Sequence, residues 1–178
     1  MTSILKVDSI QTAAGKPIVN ATGSILQVKS ATKTDKQSTS SVTAVDITGL
    51  SVSITPTSAS SKMLVRCDIN YGGVNNVYIA FFVKRDAANM VVSTAGTGLQ
   101  INATFAAGGD NNNHTYKVNG VSHSYLDSPA TTNTITYKVQ FASTGSSHPA
   151  TINAPNNADN AAYIVGGTST ITVMEIAG

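Results

Sequence analysis

The chain has 178 residues, a net charge of +2 and one cysteine, and only 11% of its residues are charged, less than half the usual share of a soluble domain. Lys84-Arg85 is the only pair of adjacent cations, so the sequence lacks the concentrated basic face of a nucleic-acid-binding protein. No apolar run is long enough to span a bilayer and the N-terminus does not resemble a secretory signal, so we expect no membrane insertion and synthesis in a cytoplasm.

Residues 1–23 are predicted to form an N-terminal arm. Within this segment, residues 4–11 (ILKVDSIQ) have a strand-like pattern and residues 13–17 (AAGKP) a turn pattern. The strip carries too few apolar residues to fold alone, so we expect it to lie against a partner. The boundary with the following domain, residues 24–178, is placed at Gly23.

A strand with one buried face is predicted over residues 62–70. Met63, Val65, Cys67 and Ile69 alternate with mainly polar residues, and successive side chains of a strand point to opposite faces. These four side chains are therefore expected to face a core. Cys67 is accordingly predicted to be a buried structural thiol and not a nucleophile.

Two segments, residues 77–85 and 168–176, predict strands with apolar residues on both faces. Such a strand is either buried on both sides within one chain or covered on one side by a second chain. For the second case, the predicted interface residues are Tyr78, Phe82, Met174 and Ile176.

Alternation also predicts strands over residues 99–105 and 134–141, and long polar stretches separate the predicted strands. Helical periodicity is hard to find anywhere. The chain is therefore predicted to be all-β, with six to ten strands arranged as a β-sandwich or jelly roll.

Several segments, in order along nearly the whole chain, resemble the fibre and virion proteins of tailed bacteriophages, especially marine phages that infect cyanobacteria. They are residues 5–18 (LKVDSIQTAAGKPI), 23–28 (GSILQV), 54–62 (ITPTSASSK), 125–132 (YLDSPATT), 136–140 (TYKVQ) and 169–176 (STITVMEI).

This resemblance implies a homotrimer whose jelly-roll head is similar to the heads of complement C1q and tumour necrosis factor. It implies that the arm winds into a stalk or docks to other virion proteins of the tail, collar or capsid, and that the distal head recognises the host surface. The expected location is the virion, assembled in the host cytoplasm. The residues predicted for docking are Leu5, Val7, Ile10 and Ile18.

No cofactor and no metal site are predicted. The three histidines form no closely spaced pair of the kind that binds zinc, although a trimer would bring three copies of His123 to its axis if that side chain faced the axis. Residues 110–113 (DNNN) supply oxygen ligands of the kind that Ca²⁺ accepts but lack the spaced carboxylates of a calcium loop. A solvated turn is the preferred interpretation.

The sequence predicts a protein that is not an enzyme. Cleavage of a host glycan needs two carboxylates across a groove, and here the acidic residues are scattered. Neither a nucleophile elbow nor a phosphate-binding loop is present.

Recognition of a host surface glycan is the remaining chemical hypothesis. Sugar-binding sites combine exposed aromatic rings with amide groups, and both residue types occur near predicted loops. The alternative is that Asn favours turns and that each Tyr anchors a loop. The candidate contacts are Tyr71, Asn75, Asn76, Asn111, Asn112, Tyr116, Asn157 and Tyr163.

Three functions follow for testing. The first is a trimeric tail fibre or fibre tip that links the particle to the host. The second is a purely architectural capsid decoration, tail or collar protein without receptor contact. The third, which the scattered carboxylates disfavour, is an enzyme acting on envelope glycans.

Overall fold

The structure is a computed structural model that describes residues 21–73, 78–94, 101–108, 116–145, 149–157 and 164–178. The predicted docking residues Leu5, Val7, Ile10 and Ile18 lie outside this part of the chain. Eleven strands and no α-helix occur among the described residues, which confirms the all-β prediction. Within them, no helix has the length and hydropathy needed to cross a membrane.

The strands follow one another with short turns or longer loops between them. They are β1 Ile25–Lys33, β2 Gln37–Thr39, β3 Val45–Ile54, β4 Lys62–Gly72, β5 Tyr78–Arg85, β6 Ala88–Asn89, β7 Phe105–Gly108, β8 Asn119–Asp127, β9 Ile135–Ser143, β10 Ala150–Ile152 and β11 Ser169–Ile176.

Two antiparallel sheets pack face to face as a β-sandwich. The first sheet has the order β1-β11-β4-β10-β2, with β8 on the other side of β4, and the second has the order β3-β9-β5-β6, with β7 also paired to β5. Side chains from both sheets meet in one core that contains Val65, Phe81, Tyr137 and Val173, all 0% exposed. The predicted inward face of β4 is confirmed, and burial raises the pKa of the Cys67 thiol to about 12.

The second apolar face of β5 is covered by the chain itself. Phe82 packs with Ala80, Ala103 and Ala142 in a small separate cluster on the outer side of the second sheet. The segment that leaves β5 folds back over this face and is held there by a hydrogen bond from the Thr104 amide to the Phe81 carbonyl, at 2.8 Å. Of the two explanations for a doubly apolar strand, burial within one chain therefore holds for Phe82.

The predicted strand over residues 99–105 is wrong in part. Residues 101–103 have no strand pairing, and β7 begins only at Phe105. The alternation there has another cause, because Ile101 and Ala103 pack against the outer cluster of β5. Leu99 lies outside the described residues.

A buried carboxylate closes one end of the sandwich, which we call the base. There β1 begins, β11 ends, and Glu175 is 0% exposed. Glu175 accepts hydrogen bonds from Gln27 Nε2 at 2.5 Å and from the amide and the hydroxyl of Thr57, both at 2.7 Å. Burial by itself would raise the pKa of Glu175, but the hydrogen bonds from Thr57 and Gln27 outweigh it and lower the pKa from 4.5 to about 2.

A second polar network closes the opposite end, which we call the tip. The Asn153 side chain donates to the carbonyl of Lys33 at 2.8 Å and accepts from the Ser169 hydroxyl at 2.6 Å. Ser169 Oγ also accepts a hydrogen bond from the Asn70 amide at 2.9 Å. Asn153 has a φ of 65°, a conformation that Asn tolerates better than most residues. These contacts join β1, β4, β10 and β11 where their hydrogen-bond ladders end.

A third network joins the two sheets. Asp127 at the end of β8 accepts a hydrogen bond from Arg85 Nη1 of β5 at 2.7 Å and one from the Tyr137 hydroxyl of β9 at 2.5 Å. Burial and then the hydrogen bond to Asp127 raise the pKa of Tyr137. The first sheet is thereby fixed over the second near the base.

Replacing Glu175 by Ala is expected to lower the free energy of unfolding by about 2 kcal/mol, because the Thr57 and Gln27 donors lose the buried carboxylate that accepts their hydrogen bonds. The folded-state pKa of Glu175 is depressed, so its contribution to stability is present above pH 4.5 and is lost as the pH falls towards 2. Chemical denaturation between pH 6 and 2 measures the free energy of unfolding of the wild type and of Glu175→Gln. The difference in free energy between the two proteins should become smaller as the pH falls.

A matched control is Asp68→Asn, which removes an exposed ion pair with Arg66 and should change stability by less than about 1 kcal/mol. A stability difference between wild type and Glu175→Gln that stays constant down to pH 2 would contradict the role of the carboxylate.

Candidate functional site

The outer face of the first sheet carries one continuous row of apolar side chains. Val28 of β1 lies opposite Met174 of β11, Met174 lies opposite Leu64 of β4, and Leu64 lies opposite Leu126 of β8. We call Val28, Met174, Leu64 and Leu126 the outer apolar row. Val28 is 53% and Leu126 is 50% exposed. The four strands place these side chains across about 14 Å of sheet.

The surroundings give the outer apolar row a defined border. On its base side Ile25, 59% exposed, lies opposite Ile176 and extends the apolar surface. On its tip side, Ser30 and Thr172 lie opposite each other and their hydroxyls are 3.2 Å apart. A flat apolar surface with a polar border is typical of a protein–protein contact. Covering it contributes about 25 cal/mol for each Å² of apolar area.

The four predicted interface residues do not form one surface. Met174 belongs to the outer apolar row and Ile176 lies beside it, whereas Tyr78 and Phe82 lie on β5 in the other sheet. Their side chains face outward on opposite sides of the sandwich. Tyr78 is 52% exposed, but Phe82 is only 9% exposed beneath its own chain.

Sequence patterns alone did not identify Val28, Leu64 and Leu126. Each is an apolar residue on the mainly polar side of its strand. Only the register between four strands, each distant in sequence from the strand it pairs with, brings these residues together with Met174.

Two of the predicted glycan contacts meet at the tip. The Asn157 side-chain amide donates to the Tyr116 hydroxyl at 3.3 Å, and Tyr116 is 37% exposed. Both residues lie in loops next to Tyr71, which pairs with Asn119 and Ile152. Tyr71 itself is half-buried and packs edge-on against Phe81 at 6.5 Å, as expected for a loop anchor. The other predicted contacts, Asn75, Asn76, Asn111, Asn112 and Tyr163, lie outside the described residues.

His123 faces the interior of the sandwich. Its ring stacks on Phe105 with centroids 5.2 Å apart and lies 6.2 Å from Tyr125, and burial lowers the pKa of the imidazole. In the described ranges, no three His, Cys, Asp or Glu side chains are grouped so as to hold a metal ion. The DNNN segment at residues 110–113 lies outside those ranges.

The carboxylates near the sandwich surface are engaged in structural contacts. Asp68 pairs with Arg66 at 2.8 Å, and Asp46 pairs with Lys138 at 2.9 Å. The hydrogen bond from Lys138, partly opposed by burial and assisted by Gln140, lowers the pKa of Asp46. Asp127 and Glu175 are held as described above. The geometry of these residues supports structural roles for them.

The chain was also compared with known proteins. No protein-family model and no curated protein sequence matches it.

An aspartate is expected to leave the fold stable on the outer apolar row and to destabilise it on the covered outer face of β5. Met174→Asp places its charge at a half-buried position that water can reach, so the fold should persist while any self-association through the outer apolar row is weakened. Phe82→Asp places a charge among Ala80, Ala103 and Ala142, so it should lower stability by about 3 kcal/mol or more. Thermal unfolding and analytical ultracentrifugation of both variants measure the two effects. A stable, dissociated Phe82→Asp protein would contradict the assignment.

Proposed function

We propose that this protein is a structural component of a tailed-bacteriophage particle, a homotrimeric fibre or fibre tip with a jelly-roll head of the C1q and tumour-necrosis-factor type. In this proposal the arm docks to the tail, collar or capsid, and the tip of the head contacts a host surface glycan. The protein acts by binding and has no catalytic role. It resides in the virion after assembly in the host cytoplasm.

The observation that carries the proposal is the separation of the two ends of the sandwich. The described chain enters at the base, where the Gly23 amide donates to the Ala177 carbonyl at 2.8 Å, and its last strand ends there too. Tyr116 and Asn157 lie at the tip, at the other end of the eleven-residue strand β4, a distance of about 33 Å. Attachment through the N-terminal arm therefore leaves the tip free to point away from the particle.

The outer apolar row supports the trimer. It crosses the outer face of the first sheet from β1 to β8, near the base, and so offers a lateral surface through which heads can pack. The phage assignment is supported by the resemblance of the six segments listed above to fibre and virion proteins. Low charge adds to this support, because a surface of hydroxyl and amide groups is little affected by salt.

The architectural alternative has its own support. The outer apolar row suits lateral packing on a particle surface whether or not the tip binds anything, and Tyr71 is a loop anchor. A capsid decoration, tail or collar protein without receptor contact would use the same head. Location on the particle, imaged by electron microscopy with a label on this chain, separates the two.

The trimer is tested by sedimentation equilibrium of the purified chain. We expect a species of three times the 18.3 kDa of one chain at micromolar concentration, and a single-chain mass for Met174→Asp. The control is Thr172→Ala in the neighbouring polar row, which should keep the mass of the wild type. A wild-type chain that remains a monomer would exclude the homotrimer.

Host contact is tested by binding of the fluorescently labelled protein to host cells. Tyr116→Ala and Asn157→Ala remove a stacking ring and an amide from the tip and should each weaken binding by about tenfold, a loss on the scale of one stacking contact. Thr32→Ala, an exposed change on the outer face of β1, is the control. Equal binding by all four proteins would show that the tip is not part of the receptor-binding site. Absence of binding by the wild type would favour the architectural role.

A further inference from the structure

The second sheet carries an open cleft on its outer side, where β3 and the turn after β5 lie beside β9. Its volume is about 420 Å³, and Asp46, Asp86, Thr136 and Lys138 are among the residues that line it. Thr136 and Lys138 lie on either side of the buried Tyr137 in β9, so their side chains point away from the core. Small-molecule sites in proteins have volumes of roughly 300–1,000 Å³, so the cleft is large enough for a small ligand.

A bulge in β3 forms one wall of the cleft. The regular pairing of β3 with β9 stops at Asp46 and resumes at Ser51, so residues 47–50 form the bulge. The Gln37 side chain holds it in place, because its amide donates to the Asp46 carbonyl and its oxygen accepts from the Thr48 amide, both at 2.8 Å. Bulges often redirect side chains next to functional sites, and this one is fixed by contacts within the protein.

Asp86 forms another wall in an uncommon backbone conformation. Its φ is 53°, and two hydrogen bonds hold it there: its amide donates to the Thr136 carbonyl at 2.7 Å, and its Oδ1 accepts from the Thr136 amide at 2.9 Å. Gly49 of the bulge has a φ of 90°. Two of the six described residues with positive φ therefore line this one cleft. Such conformations gather at binding sites, where the surrounding contacts hold them in place.

The cleft presents hydrogen-bond acceptors and a donor to the solvent. Asp86 binds Thr136 through Oδ1, and its Oδ2 has no partner in the part of the chain that the structure describes. The Asp46 carboxylate accepts from Lys138 at 2.9 Å and from Gln140 at 2.6 Å, yet its side chain is 52% exposed. A carboxylate accepts about four hydrogen bonds and an ammonium donates three, so Asp46, Asp86 and Lys138 all keep capacity for a ligand.

This mixture of charges favours an uncharged ligand. An anion would meet the carboxylates of Asp46 and Asp86. A cation would meet Lys138, and also Lys84, which is close enough for its charge to help lower the pKa of Asp46. A hydroxyl group both donates and accepts, so neighbouring hydroxyls of a sugar match carboxylate and ammonium groups that lie side by side. The described residues that line the cleft include no aromatic ring, so hydrogen bonds and not stacking would hold the sugar.

We propose that this cleft binds an uncharged saccharide. Asp46 and Asp86 accept hydrogen bonds from its hydroxyls, and Lys138 donates to one of them. The site is separate from the tip and does not depend on the phage assignment. It lies on the sheet opposite the outer apolar row, so it stays open when heads pack through that row.

The test is a titration of the full chain followed by two-dimensional amide NMR. Glucose, galactose and mannose are each added to about 100 mM, well above the dissociation constants of millimolar sites. At least one of them should shift the amide signals of Thr48, Gly49, Asp86 and Thr136. The charged counterparts glucosamine and glucuronate should bind about tenfold more weakly or not at all, and this comparison requires no variant.

Asp86→Asn is the matched variant. It keeps Oδ1 as the acceptor for Thr136, and Asn tolerates a positive φ, but an amide donor replaces the free Oδ2. The dissociation constant should rise by about tenfold, the loss expected of one hydrogen bond to a charged group.

Two control variants separate the cleft from the rest of the surface. Asp68→Asn makes the same change on the outer face of the first sheet, and Tyr116→Ala changes the tip. Both should bind the neutral sugar as the wild type does, whatever the outcome for host contact at the tip. The proposal would be overturned if none of the three neutral sugars shifts the cleft signals, if Asp86→Asn binds as tightly as the wild type, or if the charged sugars bind equally well.

Discussion

The buried carboxylate of Glu175 is the constraint on which the exposed surface of the first sheet depends. A strand that slips by one residue exchanges its two faces, and in β11 such a slip would move Glu175 into water and Met174 into the core. Three hydrogen bonds from Gln27 and Thr57 hold the carboxylate inside. Because β11 lies between β1 and β4, its register also decides which residues of those strands face outward.

A sandwich with this register has distinct sides and ends. Its interior is closed at the base by Glu175 and at the tip by Asn153 and Ser169. The outer apolar row lies along one side, the chain enters at the base, and Tyr116 meets Asn157 at the tip. The proposed lateral assembly, attachment at the base and binding at the tip are based on this division.

The alternation of apolar and polar residues along single strands was the sequence feature that predicted the structure most reliably. It predicted the all-β class and the inward face of β4, because one strand's pattern of burial depends only on its own residues. The same alternation was a less reliable predictor of strands where an irregular segment packs its apolar side chains against a sheet. Residues 101–103 show alternating apolar side chains because they cover Phe82, and a pattern of two apolar faces on β5 did not reveal that its own chain provides the cover.

The sequence by itself determined the fold class, the buried thiol of Cys67 and the polar, weakly charged surface. The tertiary structure decided which apolar residues are exposed together. Met174 was predicted as an interface residue, but its neighbours Val28, Leu64 and Leu126 come from strands up to 146 positions away, and each looks ordinary in its own segment. Tyr116 and Asn157 likewise meet across 41 positions. Surfaces of this kind arise from the register between strands, which depends on long-range pairing and is not written in any local pattern.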